Sequence, residues 1–177
     1  LVLNIVNHQS LIATKARRLS YAAAGRPIME FGARRAQGPD SALYGTRAAI
    51  IGGANSTSNV LAAKLFDIPV AGTMAHSWIE AFPDELTAFR KWAEQYPDNS
   101  ALLVDTYDVL NSGIPNAVTV FKELRAAGHE PVGIRIDSGD VTTLSQAART
   151  QLDAAGFPNA KITISNALDE HIITSLL

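Results

Sequence analysis

Arg135-Ile136-Asp137-Ser138-Gly139-Asp140-Val141 brings a guanidinium, two carboxylates and a hydroxyl into one short run. A guanidinium is a fork for an anion, and the carboxylates accept from hydroxyls or hold a metal. That set suits a sugar phosphate better than an apolar ligand. The run follows Pro131-Val132-Gly133-Ile134, which reads as a buried parallel strand, and precedes a helical run that begins near Val141. Polar groups gathered where a parallel strand ends are in the usual place for an α/β active site.

The other strand ends repeat the pattern. The first apolar run ends in Glu30-Phe31-Gly32-Ala33-Arg34-Arg35, the second in Gly72-Thr73-Met74-Ala75-His76-Ser77, the third in Asp105-Thr106-Tyr107-Asp108 and the last in Ser165-Asn166. The opposite ends start with ordinary loop residues such as Gly25-Arg26-Pro27, Asp98-Asn99 and Pro158-Asn159. Polar residues collected on one side are what a barrel with its site at the carboxyl ends of its strands would show. Taken singly, each residue has a plainer reading. His76 and Asp105 are also helix-cap or turn residues, Arg34 and Arg35 a solvated pair, and Phe31 a core residue. Within the first run Asp140 is the better N-cap and Asp137 the better functional group.

The elements that must position these residues alternate. Helices are expected over Val2 to about Ala24, Asp40 to Ile51 with Asp40 as N-cap, Ser56 or Thr57 to Phe66, and Pro83 to Tyr96. Further helices follow over Pro115 to Ala126, Val141 to Ala155 and Asp169 to Leu177. Strands are expected over Pro27 to Phe31, Ile68 to Ala71, Ala101 to Val104, Val132 to Ile136 and Lys161 to Ile164. Short apolar strands alternating with amphipathic helices mean βα units and a parallel sheet. The pattern leaves barrel and open sheet both standing.

Composition excludes several classes. Of 177 residues 47% are hydrophobic and 18% charged, a globular balance and not a disordered one. A net charge of −2 offers no bulk attraction for nucleic acid or an anionic membrane. The chain has no cysteine, so thiolate metal sites and disulfides are excluded, and a reducing, cytoplasmic setting is the expectation. No apolar run approaches the ~18 residues of a membrane span. The four histidines, His8, His76, His129 and His171, have no zinc-site spacing. Walker A, Gly-x-Gly-x-x-Gly and Gly-x-Ser-x-Gly motifs are absent too.

Six ordered segments resemble the nicotinate phosphoribosyltransferase family. They are Glu30 to Asp40, Gly52-Gly53-Ala54-Asn55-Ser56-Thr57-Ser58-Asn59, Gly72 to Trp78, Leu103 to Asp108, Gly133 to Asp140 and Ser165-Asn166-Ala167-Leu168-Asp169-Glu170. The resemblance implies an α/β fold, a segment of an irregular (β/α) barrel of the type II phosphoribosyltransferase kind. It also implies that residues 1–177 are the central part of the barrel domain, with an N-terminal domain and the last strands lying outside the chain. The 5′-phosphate site would then lie mainly in those later strands, and the isolated segment would be inactive. The implied reaction converts nicotinate and phosphoribosyl pyrophosphate to nicotinate mononucleotide and pyrophosphate, coupled to ATP, in a homodimer. Magnesium would enter with the pyrophosphate and ATP, with no protein ligands of its own.

Residue by residue, the resemblance places Phe31 against the pyridine ring, Arg34 on a phosphate and Arg135 towards the ring's substituent. His76 corresponds to a transiently phosphorylated histidine, Asp105 to the carboxylate that orients it, and Asp137 to the partner of the ribose. Thr73, Ser138 and Asn166 join them as substrate-binding positions. Ser58 stands where nicotinamide-using relatives carry an acid. A hydroxyl near free backbone N–H groups at a helix start favours an anion, hence nicotinate over nicotinamide. Quinolinate phosphoribosyltransferase is the alternative within the fold family; the Gly72-to-Trp78 segment and Ser58 argue against it. A non-catalytic barrel segment that binds a sugar phosphate is the alternative of another class.

Overall fold

Val2–Ala22 contains neither Gly nor Pro, and this uninterrupted run forms the long helix α1. The computed structural model describes all residues, Leu1–Leu177. They divide into two units, residues 1–72 with 168–177, and residues 73–167.

In the first unit α1 packs on α2 (Pro39–Gly52) through Ala16, Ala49 and Ala54, with Ile12, Ile28 and Ile50 around them. Small side chains let two helices approach closely. The N-cap of α2 is Gly38 and not Asp40: Pro39 takes the first helical position, where its fixed φ suits and its missing N–H costs nothing. Asp40 falls in the first turn, where the helix dipole favours an acid. The strands β1 (Met29–Glu30) and β2 (Ser56–Thr57) pair in parallel. Ser56 and Thr57 are therefore strand and not helix, and α3 (Val60–Phe66) starts behind Asn59, whose side chain accepts from the Ala62 N–H. The strand expected over Ile68 to Ala71 is reduced to one bridge, Thr57 to Val70. Pro69 has no N–H to extend a ladder. The final helix α8 (Glu170–Leu176) joins this unit through Glu170, which binds Lys15 and Arg18 of α1. The Lys15 hydrogen bond, the residue's own N–H and the two cations pull the Glu170 carboxyl down to about 2.

The second unit is a three-stranded parallel sheet, ordered β3 (Ala101–Leu103), β4 (Gly133–Ile136), β5 (Lys161–Ile164). The strands bury Leu102, Leu103, Ile134 and Ile136 completely. Helices α5 (Glu85–Gln95), α6 (Ile114–Ala126) and α7 (Val141–Ala154) supply Phe89, Phe121 and Leu152 to the same core. A one-turn helix, α4 (His76–Glu80), precedes α5. Asp84 and Asp140 cap α5 and α7 through their side chains. This is the α/β arrangement that the alternation predicts.

The periodicity gave no sign of the π turn at Val109–Gly113 that leads into α6. Asp108 builds it: its side chain takes the Leu110 and Asn111 N–H groups, and its carbonyl those of Ser112 and Gly113. Gly113 lies hard against the Val104 carbonyl, where a Cβ would collide with backbone. Gly113→Ala should destabilise the full-length protein by about 1–3 kcal/mol, as overpacking against a fixed neighbour does. Gly72→Ala, whose Cβ meets nothing, should stay within about 0.5 kcal/mol. Urea unfolding of the two variants checks both; equal stabilities would show that the Gly113 contact yields freely.

Candidate active site

Register explains how the second unit assembles its polar groups. Leu103, Arg135 and Thr163 are aligned across the sheet, as are Ile136 and Ile164. The next residues, Asp137 and Ser165, therefore emerge side by side, and Asp105 leaves the end of β3 beside them. All lie at carboxyl ends of parallel strands.

Asp105 is the centre. Its side chain has no exposed surface, while that of His76 is 40% exposed. Asp105 Oδ1 lies 3.1 Å from His76 Nε2. Its Oδ2 accepts from the Asp137 N–H at 3.0 Å and from Ser138 Oγ at 2.5 Å. With the carboxylate beside Nε2, the neutral ring carries its proton there, which directs the Nδ1 lone pair away from Asp105. His76 is the first residue of α4 and Ala75 the N-cap, so the histidine does not serve as the cap.

A second set adjoins the first. Arg135 donates from Nη2 to Asp137 Oδ1 at 2.7 Å, from Nε to Ser165 Oγ at 2.8 Å and from Nη1 to Thr73 Oγ1 at 2.9 Å. Ser165 Oγ also donates to Asp137 Oδ1. Both of these bonds to Asp137 fall on one oxygen, Oδ1. Burial pushes the Asp137 carboxyl up, but the Ser165 and Arg135 hydrogen bonds, with the charges of Arg135 and His76, outweigh it and hold it below its ordinary value. Asn166 is exposed at φ 87°, and Ala167 follows at φ 45°. Two consecutive non-glycine residues in the left-handed region are costly, and such strain gathers at functional loops.

Of the predicted residues, Thr73, His76, Asp105, Arg135, Asp137 and Ser138 thus form one connected network within this unit. Ser165, which anchors both Arg135 and Asp137, was missed in favour of Asn166. Its signal was register: it stands one place beyond β5, as Asp137 stands one place beyond β4.

The remaining three predicted residues belong to the first unit. Phe31 is half-buried directly after β1, Arg34 is exposed in a short 3-10 turn (Ala33–Arg35), and Ser58 is exposed between β2 and α3. Glu30, also missed, organises this region. Its Oε2 accepts from Thr46 Oγ1 at 2.9 Å and Thr57 Oγ1 at 2.7 Å, and its Oε1 from the Gly32 N–H at 2.5 Å. An acid inside an otherwise apolar strand was the available cue. The anion-binding argument for Ser58 loses ground here. Ser58 gives its own N–H to the Glu30 carbonyl, Asn59 gives its N–H to Thr57 Oγ1, and Ala62 gives its N–H to Asn59 Oδ1.

Fold and site define an α/β protein with a histidine–carboxylate pair and a braced arginine at the ends of parallel strands. Residues 27–176 match the model of the nicotinate phosphoribosyltransferase (NAPRTase) family. The chain belongs to that family. It is 53% identical over 175 residues to the nicotinate phosphoribosyltransferase of Bacillus subtilis, a match that covers 99% of this chain and 35% of the relative. A Mycobacterium tuberculosis nicotinate phosphoribosyltransferase is 46% identical, with 99% and 37% covered. The crystal structure of human nicotinic acid phosphoribosyltransferase superposes with a TM-score of 0.79 at 32% identity, over 96% of this chain and 45% of that one. A nicotinate-nucleotide pyrophosphorylase from Pyrococcus furiosus gives 0.81 at 29% identity, with 94% and 43% covered. The chain thus spans about a third of the length of the curated relatives it matches.

Since the folded Asp137 is more acidic than the unfolded residue, its ionised form adds stability above the ordinary Asp value of about 3.9. That contribution is lost as pH falls through the lower folded value. A carbon-13 titration should place the Asp137 midpoint below about 3.9, with Ser165→Ala moving it upward. A midpoint at or above the ordinary value would contradict the network.

Proposed function

We propose that the full-length protein carrying this segment transfers a phosphoribosyl group from phosphoribosyl pyrophosphate to nicotinate, with ATP phosphorylating His76. The observation that carries the reading is the His76–Asp105 pair, with Asp105 buried and held by Ser138 and the Asp137 N–H. Matches to named nicotinate phosphoribosyltransferases along nearly the whole chain support it.

In this reading His76 Nδ1 attacks the γ-phosphorus of ATP, the bond to ADP breaks and ADP leaves. Nε2 keeps its proton and donates it to Asp105, which keeps the ring oriented and stabilises it as it takes on charge. The phosphohistidine's negative charge then helps to organise the pyrophosphate end of the second substrate. As positive charge develops on the ribose, the ionised Asp137 is the group placed to stabilise it, and Arg135 fixes that carboxylate's orientation. In the first unit, Phe31 offers a π face to the pyridine ring, Arg34 a guanidinium to a phosphate, and the Ser58 hydroxyl a neutral partner for a carboxylate. Thr73, Ser138 and Asn166 complete the proposed substrate-binding set. No three His, Asp or Glu side chains gather as a metal cage, and both Asp105 oxygens are engaged. Magnesium in this reading arrives on the phosphates of ATP and phosphoribosyl pyrophosphate. A homodimer working in the cytoplasm is part of the same proposal; no helix is long and apolar enough to cross a membrane.

Incubating full-length protein with γ-labelled ATP should give acid-labile phosphate on His76, and His76→Ala should lose both the label and the stimulation of nicotinate mononucleotide synthesis by ATP. Unlabelled protein with ATP-independent turnover would remove the proposed role of His76. Ser58→Asp should raise the KM for nicotinate by roughly tenfold or more, as a carboxylate repelled by an acid requires. An unchanged KM would take Ser58 out of substrate choice.

A further inference from the structure

Helix α5 begins with a carboxylate that local sequence makes look like a solvated partner of the helix dipole. Glu85 is instead buried, 3% exposed. Its Oε2 accepts from Ser112 Oγ at 2.7 Å and from Asn116 Nδ2 at 2.9 Å, and Asn116 Nδ2 also reaches Ser112 Oγ at 3.3 Å. Its Oε1 is buried without a partner. Burying a carboxylate against neutral donors is costly, and its capping work is done by its neighbour Asp84, which binds Thr87 through both N–H and Oγ1.

The connections of Glu85 show what the buried acid does. Behind it, four residues lead back to α4, whose first residue is His76. Ahead of it, Ser112 lies in the π turn, Gly113 follows, and Gly113 is pressed against the carbonyl of Val104. Val104 is completely buried and immediately precedes Asp105. The circuit therefore closes: His76, α4, Glu85, Ser112, Gly113, Val104, Asp105 and back to His76 at 3.1 Å. Tilted and edge-to-face aromatic contacts stiffen the helical side of it, with Trp78 4.9 Å from Phe82 and 5.8 Å from Trp92 between ring centroids.

We propose that Glu85 is a positioning residue for the His76–Asp105 pair, acting by fastening the chain segment that carries His76 to the turn that seats Asp105. The proposal rests on the proposed phosphohistidine reaction. Glu85 touches no substrate; its work is to hold two loops in register. Small misplacements of a nucleophile are expensive, because the attacking atom must meet the phosphorus in line.

Full-length wild type, Glu85→Ala and Glu85→Gln are compared for nicotinate turnover and for acid-labile phosphate on His76, each normalised to folded protein by thermal melting. Glu85→Ala should lower kcat and the rate of His76 phosphorylation by roughly ten- to a hundredfold, with the KM for nicotinate within about twofold, since its contacts are untouched. Glu85→Gln keeps an oxygen for Ser112 and Asn116 and should recover kcat to within about threefold of wild type, which a requirement for the charge itself would not allow. Three results overturn the proposal: an unchanged kcat in Glu85→Ala, a loss wholly explained by its unfolded fraction, or a Gln variant as slow as the Ala variant. A crystal structure of Glu85→Ala in which His76 and Asp105 keep their separation overturns it as well, whatever the activity. A wild-type protein that is never labelled by ATP defeats the phosphohistidine reading instead, and that outcome is visible before any variant is made.

Discussion

A carboxylate with no exposed surface must be satisfied from every side, and the second unit is arranged around meeting that demand for Asp105. Leaving such a group unpaired costs several kcal/mol, more than a small unit can absorb. Its satisfaction comes from two stretches distant in sequence: the histidine at the start of α4, and the Asp137 N–H with the Ser138 hydroxyl at the end of β4. Each donor is delivered by an element whose position is set by the hydrophobic core, so the core's register becomes the site's geometry. A slip of one residue in β4 would send Arg135 to the helical face and Ile136 into the polar cluster.

The same economy appears in the first unit with different residues. Glu30 stands at the end of β1 and ties together α2, β2 and the turn after Phe31 by taking two threonine hydroxyls and one backbone N–H. Both threonines are almost wholly buried, Thr46 at 1% and Thr57 at 0% exposure. Hydroxyls serve better than a lysine or arginine here, because they satisfy the carboxylate without a second charge to desolvate.

How much of this could be read beforehand divides along the range of the interactions. Helices such as α7 and α8, capped by Asp140 and Asp169, follow from periodicity and an N-cap, both local signals. The residues brought together around Asp105 were visible as polar endings to apolar runs. Glu30, Glu85 and Ser165 were not, because the side chains they bind lie 16 to 31 positions away, and the one local cue, an acid in the apolar run before Phe31, does not say what it binds. The π turn was hidden for a related reason: it arises from Asp108 competing for backbone N–H groups just ahead of a proline that cannot donate one. Ser56 and Thr57 read as a helix start because a hydroxyl before an apolar run is an N-cap signal; pairing with β1 and the pull of Glu30 outweigh it.

The asymmetry of Asp105's partners bears on the proposed chemistry. Ser138 and the Asp137 N–H are neutral, so among these donors only His76 can become positively charged. A ring whose Nε2 proton is committed to a buried carboxylate loses nothing at that bond when Nδ1 takes a phosphoryl group. Asp105 can therefore hold the imidazole in one orientation before, during and after modification, while the added negative charge projects from the opposite side of the ring. Had the acid faced Nδ1, Nε2 would be the nitrogen left free to attack. With Asp105 on Nε2, the fold can keep this buried carboxylate paired and still leave Nδ1 available.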